Sequence, residues 1–265
     1  MKTDKILFLG AGNMAESIIS GLINSNSFLK HRITATDIRK ERLSYLSKKY
    51  GISISPKNIG SYDILVIAVK PQQMPDLLAG LSGKITKKQT VVSVAAGIST
   101  SFIEKFLGKV PVIRTMPNTP VFVREGMAAL CAGKYASKNN SNRAATLFSC
   151  AGKTIVLSEK HFDTVTSISG SGPAYLFYFA ESMIKAAEKM GLDKTTAKTL
   201  VIQTLFGASK MLRSSGEAPE LLRQRVTSPG GTTEQAIKYF EAKKLKTIVL
   251  EAVKCAKKRS KELTK

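Results

Sequence analysis

The chain has 265 residues, 43% of them hydrophobic, and carries 41 Lys and Arg against 19 Asp and Glu for a formal net charge of +22. Such a length buries one large core or two smaller ones, and no run reaches the roughly 18 uncharged apolar residues of a membrane span. The positive charge suits a phosphorylated cofactor and an anionic substrate as well as a polyanion.

Residues 6–9 are a short apolar run with strand character, so close to the first residue that no room is left for a signal peptide. Gly10-Ala11-Gly12-Asn13-Met14-Ala15 follows and fits G-x-G-x-x-[G/A], and residues 15–22 read as a helix. Strand, glycine turn and helix are the context of a dinucleotide-binding motif. Gly10 allows the tight turn, Gly12 lets the backbone approach a pyrophosphate, and Ala15 permits close helix–strand packing. The unpaired N–H groups at the helix start then face the phosphates.

Residues 32–37 (RITATD) read as strand two, and residues 40–50 as a helix stopping at Gly51. Asp37 ends the strand 22 residues after Ala15, where a carboxylate commonly holds the ribose 2′-OH of NAD. Arg39 and Lys40 follow at once and suit the 2′-phosphate of NADP, so the two readings point to opposite cofactors. Residues 62–69 (YDILVIAV) form the most nearly continuous apolar run, that of a buried parallel strand. Counted as strand four, it ends in Ala68-Val69-Lys70-Pro71-Gln72. The carboxyl ends of parallel strands line the ligand crevice, which puts Lys70 near the cofactor phosphates or the nicotinamide ribose. Residues 90–96 predict another strand, turning at Gly97-Ile98-Ser99 into a short helix. A strand at 111–116 leads into Pro117-Asn118-Thr119-Pro120, which its prolines exclude from regular structure. The Asn118 amide is suited to set a nicotinamide ring against the cleft. Residues 126–132 and 154–157 predict late edge strands, with antiparallel pairing at that edge.

After Ser158 strand runs largely disappear. Helices are predicted at 174–190, closed by Gly191, and at 195–213, 218–226 and 232–258. The first is apolar almost all round before Glu181, as for a helix buried in a core or between subunits. The predicted architecture is an α/β Rossmann-like dinucleotide-binding domain, residues 1–157, followed by an all-α dimerisation domain, residues 158–265. Between two of the helices lies Val226-Thr227-Ser228-Pro229-Gly230-Gly231-Thr232-Thr233. Thr232 is placed to cap the last helix, with Gln235 completing a capping box. Gly230 and Gly231 bare the backbone, and consecutive N–H groups at a helix start form an anion nest. With the hydroxyls of Ser228, Thr232 and Thr233 this makes a site for a small carboxylate. Lys and Arg thicken from residue 238 onward, ten against three Glu. No zinc finger or arginine-rich arm accompanies them, so no specific nucleic-acid role is expected. Cys131, Cys150 and Cys255, with His31 and His161, are too few and scattered for a disulfide framework or a metal site. A reducing cytoplasm suits them.

Taken together, FLGAGNMA at residues 8–15, AVKPQ at 68–72, SVAAGI at 93–98, IRTMPNTP at 113–120, SGSGPAY at 169–175 and VTSPGGTT at 226–233 resemble the pyrroline-5-carboxylate reductase family nearly end to end. The resemblance implies reduction of the C=N bond of 1-pyrroline-5-carboxylate to L-proline, the last step of proline biosynthesis, by NADPH or NADH. It implies pairing through the helical domain, with some members assembling into decamers. It makes Thr233 the catalytic contact to the ring nitrogen, and has Ser228 and the amides of Gly230, Gly231 and Thr232 hold the substrate carboxylate. Asn118, Lys70 and the loop from Gly10 to Ala15 fall on the cofactor side. Asp37 departs from the Ser or Asn frequent there in NADPH-preferring relatives, while Arg39 and the overall charge favour NADP, with NAD as second choice. A cyclic imine protonates readily, so the chemistry chiefly needs the hydride donor held near the ring carbon. Two other readings are a β-hydroxyacid dehydrogenase-like oxidoreductase and a non-enzymatic nucleotide-sensing or nucleic-acid-binding protein. The first places a lysine near the start of the long helix, whereas residues 175–184 contain none and Lys185 is the first.

Overall fold

Seven strands form one sheet in the computed structural model, which describes residues 4–26, 28–56 and 58–264. In chain order they are β1 (Ile6–Leu9), β2 (Ile33–Thr36), β3 (Ile64–Ile67), β4 (Thr90–Ser93), β5 (Val112–Pro117), β6 (Gly126–Ala132) and β7 (Gly152–Val156). Their spatial order is β2-β1-β3-β4-β5-β6-β7. Pairing is parallel throughout except between β5 and β6. The central strands are apolar on both faces because helices cover both faces. Ile6, Phe8, Ile64 and Val66 pack with α1 (Asn13–Asn24), α2 (Lys40–Tyr50) and α5 (Lys138–Ser149). Their alternate neighbours Leu7, Leu9, Leu65 and Ile67 pack with α3 (Met74–Leu81) and α4 (Thr100–Leu107). The chain leaves β1 for β2 on one side and returns to β3 on the other, which makes the carboxyl ends of β1 and β3 the switch point where a crevice opens.

Several expectations are corrected. The 62–69 strand is third in chain order, not fourth, because the residues before it form only an isolated bridge between Thr34 and Ser53. The 126–132 strand is interior rather than an edge, paired on both sides, and only β7 is an edge there. Pro117-Asn118-Thr119-Pro120 is largely regular. Pro117 closes β5 opposite Ala128, and Thr119–Val123 is a 3-10 helix that seats Pro120 in its first turn, where a missing N–H costs no hydrogen bond. The helix predicted at 232–258 is two, α10 (Thr232–Ala242) and α11 (Leu245–Leu263). Lys244 breaks it with φ of 56°, a left-handed turn with no Gly or Pro to announce it. The helices α3 and α5 are not among the predicted elements. Ser137 and Asn140 cap α5 reciprocally, but only four of its twelve residues are buried, which gives a weak periodic signal.

Two compact units result, one of Met1–Ser171 with Ala256–Lys265, the other of Gly172–Cys255. They divide 14 residues later than the predicted division after residue 157. The reason lies at Glu159, which accepts Arg114 Nη1 at 3.0 Å and the Thr100 amide at 2.9 Å. Phe162 in α6 (Phe162–Val165) is buried against Ala129 and Cys131, under the Arg114 guanidinium. These contacts fasten the segment to the sheet. The end of α11 belongs to the same unit, with Ser260 Oγ donating to Asp163 Oδ1 at 2.7 Å. The second unit comprises α7 (Gly172–Lys189), α8 (Lys194–Ser215), α9 (Pro219–Arg225), α10 and most of α11.

Candidate active site

The turn after β1 is held by three hydrogen bonds. Gly10 N–H donates to Thr36 O at 2.9 Å, Ala11 N–H to Asp37 Oδ2 at 2.8 Å, and Arg42 Nε to Ala11 O at 2.7 Å. Gly10 has φ of 99°, and a β carbon there would stand 2.6 Å from the Ala68 carbonyl oxygen. Only glycine meets both conditions. Gly12 is the N-cap of α1 and offers no side chain to cap it, and a β carbon on it would meet nothing within 4 Å. The helix start therefore faces open space, with first-turn amides available for an anion.

That space is a cleft of about 720 Å³ lined by Gly10, Gly12, Asn13, Asp37, Arg39, Ala68, Val69 and Lys70, with Leu9, Thr36, Ile38, Gln73 and Leu77. The expected cofactor residues from all three strand ends thus come together at the switch point. Ala11 contributes through its backbone, while Ala15 is buried and Met14 packs on the core behind the loop. Pro71 opens the 3-10 turn Pro71–Gln73, whose Gln73 Oε1 accepts the Lys70 amide at 3.2 Å. The fit to a dinucleotide rests on the uncapped helix start opening into this cleft.

Asp37 is tied to the glycine loop and to Arg39. Both oxygens are engaged: Oδ1 accepts Arg39 N and Nε at 2.9 Å each, and Oδ2 accepts Ala11 N at 2.8 Å and Arg39 Nη2 at 3.0 Å. Its side chain is only 8% exposed, against 58% for Arg39. The Arg39 guanidinium, helped by the two backbone amides and opposed by burial, holds the Asp37 carboxyl well below the usual carboxylate range. Asp37 is thus a half-buried tether of the glycine loop in the cleft wall, and Arg39 is the more exposed charge beside it. Asn118 is also occupied. Its Oδ1 accepts the Met127 amide at 2.8 Å, its Nδ2 faces Ser169 Oγ at 3.4 Å, and it does not line the cleft.

A cluster behind the loop has no counterpart among the sequence expectations. Glu16 on α1 receives Arg42, Lys49 at 3.0 Å and Tyr50 at 2.9 Å. Burial acts to raise its pKa, but hydrogen bonds from Arg42, Lys49 and Tyr50 outweigh this and bring it to about 2. Arg42 therefore joins the glycine loop and Glu16 in one network. No local motif marks these residues, which come from two helices.

In the second unit, the loop before α10 carries the expected substrate residues in a shifted register. Gly231, not Thr232, is the N-cap, and no side chain caps it. The predicted Thr232–Gln235 capping box is absent because Thr232 is already the first helical residue. Gly231 N–H donates to Ser228 O at 3.0 Å, and Gly230 N–H to Glu234 Oε2 at 2.9 Å. Two of the three amides expected to form the nest are thereby engaged. The amides of Thr232 and Thr233, at the first two helical positions, lie beyond the reach of intrahelical acceptors. Ser228 Oγ lies over the helix start, so close that a β carbon on Gly231 would collide with it. Thr233 is half-buried. Ser228 Oγ thus stands beside a helix start whose Thr232 and Thr233 amides have no intrahelical acceptor.

Burial pushes the Cys131 thiol up to about 12 and the Cys150 thiol to about 11, so neither is a nucleophile at neutral pH. Among the described residues no cluster of His, Cys, Asp or Glu could hold a metal, and no helix is long and apolar enough to cross a membrane.

A largely parallel sheet with an uncapped glycine turn at its switch point defines a dinucleotide-binding protein of the doubly wound α/β class. Comparison with known proteins narrows this. Residues 159–263 match the family model for pyrroline-5-carboxylate reductase dimerisation, and residues 5–97 that for NADP oxidoreductase, coenzyme F420-dependent. The chain is 40% identical to pyrroline-5-carboxylate reductase 1 of Bacillus subtilis over 98% of its own length and 89% of the relative's. The pyrroline-5-carboxylate reductase structure from Coxiella burnetii superposes with a TM-score of 0.93 at 39% identity, covering 99% of both chains. The Plasmodium falciparum pyrroline carboxylate reductase with NADP bound gives 0.88 at 29% identity over 100% of both. The chain belongs to the pyrroline-5-carboxylate reductase family.

Proposed function

We propose that this protein reduces the C=N bond of 1-pyrroline-5-carboxylate to give L-proline, with a nicotinamide dinucleotide as hydride donor. The full-length likeness to reductases of this name carries the reading, and the donor set at Ser228, Thr232 and Thr233 supports it. The loop from Gly10 to Ala15, with Ala68, Val69 and Lys70, would hold the dinucleotide, which when bound supplies the hydride. Ser228 and the two open amides would hold the substrate carboxylate through charge-assisted hydrogen bonds. The Thr233 hydroxyl would orient the ring nitrogen, which gains an electron pair as hydride adds to the neighbouring carbon.

NADP is the preferred cofactor in this reading. Arg39 is exposed at the rim, the carboxylate that would repel a 2′-phosphate is already paired, and the P. falciparum relative binds NADP. The protein acts as a homodimer through its helical unit, and any larger assembly such as a decamer would build on that pair. Leu176, Phe177, Tyr178 and Phe206 present their apolar surfaces to solvent in the single chain, which a partner would cover. Three free cysteines suit the cytoplasm.

Following absorbance at 340 nm with NADPH or NADH and pyrroline-5-carboxylate tests the assignment. Oxidation of the cofactor with stoichiometric proline is expected. No proline with either cofactor overturns it.

A further inference from the structure

The carboxylate of Glu234 sits at the mouth of the glycine turn that the proposed substrate site depends on. Glu234 is the third residue of α10, and its Oε2 reaches back to accept the Gly230 amide at 2.9 Å. Its Oε1 pairs with Lys238 Nζ at 3.2 Å, one helical turn on. Gly230 has φ of 73°, so the turn adopts a conformation that only glycine takes without cost. Two hydrogen bonds restrain it: Gly231 N–H to Ser228 O within the turn, and Gly230 N–H to Glu234 Oε2 from the helix.

We propose that Glu234 is a positioning residue for substrate binding: it locks the Ser228–Gly231 turn so that Ser228 Oγ and the Thr232 and Thr233 amides converge on one carboxylate. The inference rests on the function proposed above. Three features carry it. The lock acts on the residue between the site's hydroxyl and its open amides. It removes the one nest amide that would otherwise compete to orient the incoming anion. And Lys238 offsets the Glu234 charge, so a second carboxylate can approach within one helical turn without meeting an unpaired negative charge. The Gly230 N–H, with help from Lys238, keeps the carboxyl below the usual carboxylate range, so the acceptor is fully ionised at neutral pH.

The test compares Glu234→Ala and Glu234→Gln with wild type. Glutamine keeps an acceptor oxygen at the same reach but loses the charge. Glu234→Ala is expected to raise KM for pyrroline-5-carboxylate about tenfold, with kcat within about twofold and the cofactor Kd unchanged. Glu234→Gln is expected to restore KM to within about threefold of wild type. Hydrogen exchange at the Gly230 amide, read by NMR, should be slow in wild type and in the glutamine variant and fast in the alanine variant. An alanine variant with wild-type KM overturns the proposal, as does a glutamine variant as impaired as alanine. So does a Gly230 amide that exchanges fast in wild type. Absence of any reductase activity in wild type fails the proposed function instead, and the exchange measurement still decides whether the lock exists.

Discussion

Asp37 accepts the Ala11 amide at 2.8 Å while the Arg39 guanidinium grips both of its oxygens. The carboxylate after β2 thus holds the glycine loop at the cleft wall, and the more exposed arginine stands beside it. If Asp37 instead served the ribose of NADH, its loss would damage NADH use and spare or improve NADPH use. The tether predicts otherwise. Asp37→Ala leaves the Ala11 amide without its acceptor and frees Arg39, so Kd should rise about tenfold for both cofactors, the equivalent of one charge-assisted hydrogen bond. Arg39→Ala should weaken NADPH by a similar factor and leave NADH within about twofold. Fluorescence titration of each variant with both cofactors checks the pattern, and a selective loss of NADH in Asp37→Ala would restore the ribose role.

Glu16 gives a pH signature. Its folded pKa is brought to about 2, below the ordinary glutamate value of 4.5. A carboxylate depressed on folding adds stability that is fully present above its unfolded pKa and is lost as pH falls through the folded one. The contribution should therefore be complete at pH 7 and fade between about pH 4.5 and 2. Glu16→Gln should cost about 2 kcal/mol at pH 7, as for hydrogen bonds to a charged group. The gap between variant and wild type should narrow steadily below pH 4.5. Urea denaturation at several pH values measures this, and a gap independent of pH would exclude the charge as its source.

The helical unit makes its own prediction. Phe177 is 70% exposed and Tyr178 73% exposed on α7, and no residue of that helix is buried. Apolar surface of that extent is kept by covering it. Phe177→Glu placed in a self-facing surface brings two charges together out of water. Light scattering at micromolar concentration should show a dimer or larger species for wild type and a shift to monomer for the variant. A wild-type monomer with full activity would refute the pairing.

Local devices in this chain are legible in its sequence. The glycine turn has its strand, turn and helix contiguous, and it folds as the motif requires. The run at 62–69 announces a buried strand because parallel strands covered on both faces need apolar residues at every position. The features that the sequence hides are non-local or depend on one backbone angle. Arg42 and Glu16 are 26 residues apart and meet only because α1 and α2 lie side by side. Asp37 stands where a ribose ligand belongs, and nothing in the sequence shows that Arg39 folds back onto it. The break at Lys244 lies within an unbroken helical pattern. The capping register before α10 slips by one: Gly231 takes the N-cap position with no side-chain cap, and Glu234 holds the Gly230 amide before it.

That slip bears on the last prediction, which concerns Thr233. At the second position of α10 its amide lies beyond the helix's own acceptors, and Gly231, not a threonine, holds the cap position. Its hydroxyl is therefore not committed to capping, and it belongs to the residue that directly follows Thr232 at the helix start. If the hydroxyl orients the ring nitrogen, its contribution grows as the nitrogen gains electron density during hydride addition. Thr233→Ala should then lower kcat roughly 10- to 150-fold, the equivalent of about 1.5–3 kcal/mol of transition-state interaction. Ser228→Ala should instead raise KM with kcat nearly unchanged, because a carboxylate contact is made equally in the ground and transition states. Thr233→Ser, which keeps the hydroxyl, should recover most of the rate. Steady-state kinetics on the three variants, with circular dichroism to confirm folding, separates these cases. A folded Thr233→Ala enzyme with wild-type kcat and kcat/KM would make the threonine a helix-start residue only, and the ring nitrogen would have to be oriented by another group.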